Sequence, residues 1–190
     1  LPILPAGRLR EWRYGYRRAD IIVVTKCPPD MSQQQRYEML TEIDPYPRQR
    51  IYFSRYQYGQ PYELLRPETG RPLDLETHVL LVSAIANTDY LLQYLSGEAG
   101  SVQTLEFEDH HYFSDSDLIE MYRRFDAMPH RNKIILTTEK DAARLRSVIE
   151  GSPLEGLPLA VIGMRTVILN EPERFAELIR RHVATNPAHR

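Results

Sequence analysis

Cysteine and long apolar runs are nearly missing from this 190-residue sequence. Cys27 is the only cysteine, which excludes an internal disulfide framework and any zinc site built from several cysteines. No apolar run extends beyond a few residues, whereas a membrane-spanning helix needs about 20. Positive charge is not in excess either: the net charge is −2, so we expect no nucleic-acid partner.

Several motifs of nucleotide-binding and metal-dependent enzymes are also absent. No Gly-Lys dipeptide occurs, so the sequence contains no Gly-x-x-x-x-Gly-Lys-Ser/Thr phosphate loop. Neither Gly-x-Gly-x-x-Gly nor His-Glu-x-x-His occurs. If the protein uses a nucleotide triphosphate, we expect its phosphate-binding loop to lie outside these residues. The first residue is Leu1 and not Met, and we expect the sequence to be a piece of a longer protein.

What is present is an alternation of short β-branched runs with amphipathic segments. The runs predicted as strands are residues 21–24, 51–53, 79–82, 102–107, 134–136, 159–162 and 166–169. Helices are predicted over residues 36–43, 89–95 and 141–149, after Ser114, and from Asn170 with Phe175, Leu178 and Ile179 facing inward. Several strand runs are continuously apolar, as in strands covered on both faces. The pattern predicts the α/β class: a three-layer α/β/α sandwich with a mostly parallel sheet of about five to seven strands.

The predicted organisation has three parts. Residues 1–20 form an arginine-rich loop or linker that contributes to a cleft between domains. Residues 21–184 form the α/β domain, and residues 185–190 form a frayed tail. Within the domain, residues 56–73 are rich in Tyr, Pro and Gly and read as a long loop or hairpin.

An Asp-His-His triplet follows one predicted strand and precedes a capped helix. In parallel sheets ligands gather beyond the carboxyl ends of the strands, which is where Asp109, His110 and His111 fall. A histidine there can act as a general base near neutral pH, with a carboxylate orienting its ring. Adjacent side chains point in different directions, so at most one of the two histidines is central.

Three further segments have a structural and a functional interpretation. Residues 4–11, with Arg8, Arg10 and Glu11, form either a solvated basic turn or a loop that contacts phosphate. Thr137 or Thr138 is expected to cap the helix that follows. Residues 82–88 leave a strand through small residues, and Asn87 reads as a helix cap more readily than as a ligand-binding group.

Taken in order, these segments resemble the C-terminal part of the tetraacyldisaccharide 4′-kinase (lipid A 4′-kinase) family. The sequence Leu-Pro-Ala-Gly-Arg-Leu-Arg-Glu at residues 4–11 is similar to the family's Leu-Pro-x-Gly-x-Leu-Arg-Glu. Residues 18–20 and 25–28, Ser-Ala-Ile-Ala-Asn at 83–87, Phe-x-Asp-His-His-x-Phe at 107–113 and Thr-Glu-Lys-Asp at 138–141 resemble its later signatures. Glu108 and Thr88 stand where the family usually has Pro, positions that shape the backbone.

The resemblance implies a Rossmann-like C-terminal domain of a kinase that moves the γ-phosphoryl of ATP to the 4′-hydroxyl of a tetraacyldisaccharide 1-phosphate. It implies that His110 assists an aspartate of the N-terminal P-loop domain in activating that hydroxyl. Arg10, Glu11, Asp109 and His111 would contact the substrate. ATP and Mg²⁺ would be held mainly by the N-terminal half, so this chain alone is expected to be inactive, and no metal ligand is expected within it.

The same resemblance implies the remaining partners and a location. The substrate is an acylated anionic lipid, so the kinase would work as a peripheral enzyme at the cytoplasmic face of the inner membrane of a Gram-negative bacterium. The expected partners are this lipid, the chain's own N-terminal P-loop domain and an anionic membrane surface.

Two other interpretations stay open. Metal-dependent phosphoesterases also carry an Asp-His-His triplet, but they need further aspartates on preceding strands to hold two metals. Here those strands end in Thr25-Lys26 and Ala84-Ile85. Alternatively, the chain is a non-catalytic module that docks substrate, with His110 structural.

Overall fold

The computed structural model describes residues 12–185, which divide into two compact units. One unit consists of residues up to Gln57 together with those from Thr166 onward, and the other is Tyr58–Arg165. The strands are β1 (Ile21–Val24), β2 (Arg50–Tyr58), β3 (Tyr62–Glu63), β4 (His78–Ser83), β5 (Ser101–Glu106), β6 (Lys133–Thr138), β7 (Leu159–Ile162) and β8 (Met164–Ile168). The helices are α1 (Gln33–Ile43), α2 (Asp89–Glu98), α3 (Asp115–Asp126), α4 (Glu139–Leu145) and α5 (Pro172–Thr185), and a 3₁₀ helix spans Arg13–Arg18.

A five-stranded sheet in the order β3-β7-β6-β4-β5 forms the centre of the second unit. The pairs β4–β5, β4–β6 and β6–β7 are parallel, and only the short edge strand β3 runs antiparallel. The registers place Ser83 beside Glu106 and Val82 beside Thr137. The carboxyl ends of β4, β5 and β6 therefore meet at one edge of the sheet, where α/β folds place their ligands.

Helices cover both faces of this sheet, and the predicted three-layer α/β/α class is confirmed. On one face, Leu80 and Val82 of β4 pack with Leu118 and Met121 of α3 and with apolar residues of α4. On the other face, Val79 and Leu81 of the same strand pack in a second cluster with Leu91 and Leu95 of α2. Alternate residues of a strand point to opposite faces, so a strand with helices on both sides is continuously apolar, as the sequence of β4 is.

The other unit contains a separate three-stranded sheet in the order β1-β2-β8, with β1 and β2 parallel. The apolar pattern of the sequence does not distinguish these strands from those of the larger sheet. Helix α5 begins at Pro172 and not at Asn170, whose side chain instead hydrogen-bonds strand β2. The predicted inward orientation of Ile179 is wrong, because this residue is 43% exposed. Within residues 12–185, none of the helices has the length and apolar character that crossing a bilayer requires.

Candidate functional site

Buried Asp141 joins the ends of β4 and β6 at the carboxyl edge of the five-stranded sheet. Its side chain is fully buried, and its Oδ2 accepts the backbone N–H of Ala84 at 3.0 Å and the hydroxyl of Thr138 at 2.9 Å. Its Oδ1 lies 3.4 Å from Nη1 of Arg144, one turn further along α4. A buried carboxylate is stable only when its oxygens are paired and hydrogen-bonded, and these contacts meet that requirement. The Ser-Ala-Ile-Ala-Asn and Thr-Glu-Lys-Asp segments are therefore in direct contact.

Thr138 also caps α4, since its hydroxyl accepts the backbone N–H of Asp141 at 3.3 Å. This confirms the predicted capping role. The N-cap residue of α2 is Thr88 and not the predicted Asn87, although Asn87 Oδ1 accepts the backbone N–H of Asp89, the first residue of the helix, at 3.1 Å.

The Asp-His-His triplet forms a tight turn directly after β5. The backbone N–H of His111 donates to the carbonyl of Glu108 at 3.1 Å, and His110 occupies the third position of the turn with φ of +66°. A left-handed residue at this position is the arrangement of a type II turn, where Gly or Asn is preferred. The turn projects the His110 ring outward, and its side chain is 69% exposed.

Two cations of α4 lie against this turn. Lys140 Nζ donates to Asp109 Oδ1 at 2.9 Å, and Arg144 Nη2 donates to His110 Nδ1 at 3.2 Å. Residues four apart share one face of a helix, so α4 presents Lys140 and Arg144 together. The other nitrogen of His110, Nε2, lies 3.6 Å from Asp109 Oδ2. The hydrogen bond from Lys140, helped by His110, holds the pKa of Asp109 below its ordinary value, so Asp109 is a carboxylate at neutral pH.

His111 is turned away from this group and belongs to the packing of α3. Its Nε2 lies 2.9 Å from Asp117 Oδ2, and its ring stacks on Phe107 with centroids 4.8 Å apart. Asp117 is also one half of the capping box that begins α3, with Ser114 as the other half. Burial raises the pKa of Asp117, but hydrogen bonds from Ser114 and His111 outweigh it and leave that pKa below its ordinary value. His110 is thus the exposed histidine of the pair, while the assignment of His111 and Asp109 to substrate binding stays a prediction.

Arg10 and Glu11, the other predicted substrate contacts, lie outside the described residues. Between residues 12 and 185, no three His, Cys, Asp or Glu side chains are grouped so that they could hold a metal ion. Sequence reasoning missed Lys140 and Arg144. The signal was available, because two cations four residues apart follow a strand end, but the predicted helix started at Asp141 and so left out Lys140.

Comparison with known proteins shows which family this chain is similar to. Residues 2–184 match the family model described as LpxK, tetraacyldisaccharide-1-P 4′-kinase. A tetraacyldisaccharide 4′-kinase of Bacteroides fragilis strain YCH46 is 34% identical over 197 residues, which cover 97% of this chain and 51% of that protein. The protein of the same name from Phocaeicola vulgatus is 36% identical over 146 residues, which cover 75% of this chain and 40% of that one. The chain spans about half the length of the curated relatives it matches.

A solved structure shares the fold. It is the "apo" form of LpxK from Aquifex aeolicus in complex with ATP, and the TM-score is 0.51 at 21% sequence identity. The likeness covers 94% of this chain and 47% of that one.

Proposed function

We propose that this chain takes part in phosphoryl transfer to a lipid disaccharide. The chain belongs to the tetraacyldisaccharide-1-P 4′-kinase family. The reaction would move the γ-phosphoryl of ATP to the 4′-hydroxyl of a tetraacyldisaccharide 1-phosphate. The observation that carries the proposal is the exposed His110, held beside Asp109 at the carboxyl edge of a parallel sheet. Phosphoryl transfer depends on positioning, charge neutralisation and an oriented hydroxyl. An imidazole that is held in place contributes to the orientation of the hydroxyl.

The proposed role of His110 is to assist a carboxylate that accepts the proton of the 4′-hydroxyl. That carboxylate would be an aspartate of the P-loop half of the kinase. An exposed imidazole N–H can donate a hydrogen bond to such a carboxylate and hold it within reach of the proton that it accepts. Here Nε2 of His110 already faces an acidic oxygen, that of Asp109. Arg10 and Glu11 are also proposed to contact the substrate.

ATP and Mg²⁺ are assigned mainly to the P-loop half of the kinase. This assignment is supported by the pairing of Asp109 with Lys140 and of Asp117 with His111 and Ser114, and by the lack, within residues 12–185, of any group of three metal-ligating side chains. The 190 residues also contain no phosphate-loop motif. Accordingly, no step of the transfer is assigned to ATP-binding groups of this chain.

Because the proposed substrate is a phosphorylated lipid, we also propose that the kinase acts at an anionic membrane surface, the cytoplasmic face of a Gram-negative inner membrane. Helix α5 supports this, because Ile179 and Val183 are exposed on it beside Arg180 and Arg181. Apolar side chains flanked by arginines are typical of helices that lie on anionic bilayers.

The test is phosphoryl transfer by the complete kinase, with this chain joined to its P-loop half. His110→Ala should lower kcat by about 10²–10⁴-fold, the usual range for general acid–base assistance, with little change in melting temperature. His111→Ala is the matched control: it should lower the melting temperature, because it breaks the contact with Asp117, and it should lower kcat less. An unchanged rate in His110→Ala would favour the non-catalytic docking module.

A further inference from the structure

Arg144 contacts both the buried carboxylate of Asp141 and the exposed ring of His110. One guanidinium nitrogen, Nη1, lies 3.4 Å from buried Asp141, and the other, Nη2, donates to His110 Nδ1 at 3.2 Å. The Arg144 side chain is only 19% exposed, whereas that of His110 is 69% exposed. The planar fork of arginine suits such a double contact, because its nitrogens hold a fixed relative geometry.

The contact with Arg144 determines which nitrogen of neutral His110 carries the proton. A guanidinium has donors only, so Nδ1 must accept through its lone pair. The proton of the neutral ring is therefore on Nε2. That nitrogen is the one that faces Asp109, at 3.6 Å.

Arg144 is itself anchored by contacts that do not involve His110. Asp141 is fixed by the backbone N–H of Ala84 and by the hydroxyl of Thr138. These two residues stand at the ends of β4 and β6 in the centre of the sheet. His110, by contrast, lies on a turn after the edge strand β5, and most of its side chain is exposed.

We propose that Arg144 is a positioning residue that sets both the tautomer and the rotamer of His110. It keeps the proton of the neutral ring on Nε2, near Asp109 on the exposed side of the turn, where an aspartate of the P-loop half could accept a hydrogen bond from it; this role rests on the proposed function. In enzymes whose histidines bind metals, the partner of the second ring nitrogen fixes the tautomer in the same way, and its loss costs about 10–100-fold in affinity or activity.

The test is nitrogen NMR of the ¹⁵N-labelled 190-residue chain at about pH 8.5, roughly two units above the ordinary imidazole pKa. The His110 resonances are assigned from their loss in His110→Gln. In the wild type, Nδ1 should have the chemical shift of an unprotonated nitrogen, and the side-chain couplings should show a single χ1 rotamer. In Arg144→Met, the couplings should average over rotamers, and the ring nitrogens should shift toward a mixture of tautomers.

Arg124→Met is the matched control, because Arg124 pairs with Glu120 on the exposed face of α3 and should leave the His110 signals unchanged. If Arg144→Met does not fold, Arg144→Lys replaces it, since it keeps a cation beside Asp141 but lacks the second nitrogen of the fork. A wild-type His110 that already averages its rotamers would overturn the proposal. The proposal would also be overturned if the Arg144 variant gave the same His110 signals as the wild type.

A rate measurement separates this proposal from the proposed function. In the complete kinase, Arg144→Met should lower kcat by about 10–100-fold and leave KM for the lipid nearly unchanged. An altered His110 signal with an unaltered kcat would uphold the positioning by Arg144 and contradict the proposed role of His110. A lowered kcat with an unaltered His110 signal would overturn the positioning itself.

Discussion

The carboxylate of Asp141 accepts the backbone N–H of Ala84, a residue 57 positions earlier in the chain, at 3.0 Å. This hydrogen bond holds the end of β4 against the start of α4, and Arg144 then extends the connection to His110. The position of the exposed histidine thus depends on a carboxylate that does not reach the surface.

Loss of the Asp141 carboxylate should destabilise the chain strongly. Asp141→Ala leaves the N–H of Ala84 and the guanidinium of Arg144 without their acceptor. Breaking a buried ion pair costs about 3–5 kcal/mol, and partial exposure of Arg144 places the expected loss near the lower end. Urea unfolding measures it. Asp126→Ala, at an exposed helix end, is the control and should change the free energy of unfolding by less than about 0.5 kcal/mol. Equal effects from the two variants would contradict the anchoring role.

The backbone conformation of His110 should oppose stability. At φ of +66°, any residue with a Cβ is strained, whereas glycine is not. Alanine and glycine both remove the imidazole, so comparing them isolates the backbone contribution. The unfolding free energy of His110→Gly should exceed that of His110→Ala by about 1 kcal/mol. If alanine were the more stable of the two, the turn would not have this conformation in solution.

Asp117 should make stability depend on pH at the acid end. Its pKa is lower in the folded chain than its ordinary value of about 3.9, so the unfolded chain binds the proton more readily. The stabilisation is therefore present above that ordinary value and is lost as the pH falls through the folded pKa. Urea unfolding of wild type and Asp117→Asn should show a larger difference at about pH 7 than at about pH 3. A difference that stays constant with pH would argue against this hydrogen-bonded carboxylate.

Two glycines near the amino end of β5 should respond to alanine in opposite ways. A Cβ at Gly100 would collide with the carbonyl oxygen of Leu75, so Gly100→Ala should destabilise the chain by about 1–3 kcal/mol. Gly97 lies within α2, and a Cβ there would meet no atom within 4 Å. Gly97→Ala should stabilise the chain by roughly 0.5–1 kcal/mol, because alanine favours the helix. Melting temperatures show whether each variant is stabilised or destabilised. A change in the same direction in both variants would contradict the packing at Gly100.

The 190-residue chain by itself should not bind Mg-ATP tightly or hydrolyse it, because its sequence has no phosphate-loop motif. Titration calorimetry with Mg-ATP should show no binding at micromolar concentrations. The complete kinase, titrated in the same way, is the positive control. Micromolar affinity in the chain alone would place the ATP site within it.

The features that sequence patterns predicted well are those controlled by near neighbours. The apolar run of β4 showed that the strand is covered on both faces, and the Ser114–Asp117 capping box placed the start of α3. The Asp-His-His turn was placed correctly at the end of a strand, since strand ends and helix caps are local properties. Asn170 was misplaced, because its amide hydrogen-bonds the backbone of Ile51 and Phe53, more than 100 positions away, and does not begin a helix.

The sequence by itself determined the alternation of strands and helices, the absence of a phosphate-loop motif and the Asp-His-His triplet. Only the tertiary structure decided which histidine is exposed, that Lys140 and Arg144 contact the triplet, and that the strands described between residues 12 and 185 form two sheets. The physical reason is the range of the forces involved. Helix periodicity and capping act over three or four residues, whereas the contacts of Asp141 and Arg144 join segments 57 and 34 positions apart. Such contacts form only when the sheet brings the strand ends together.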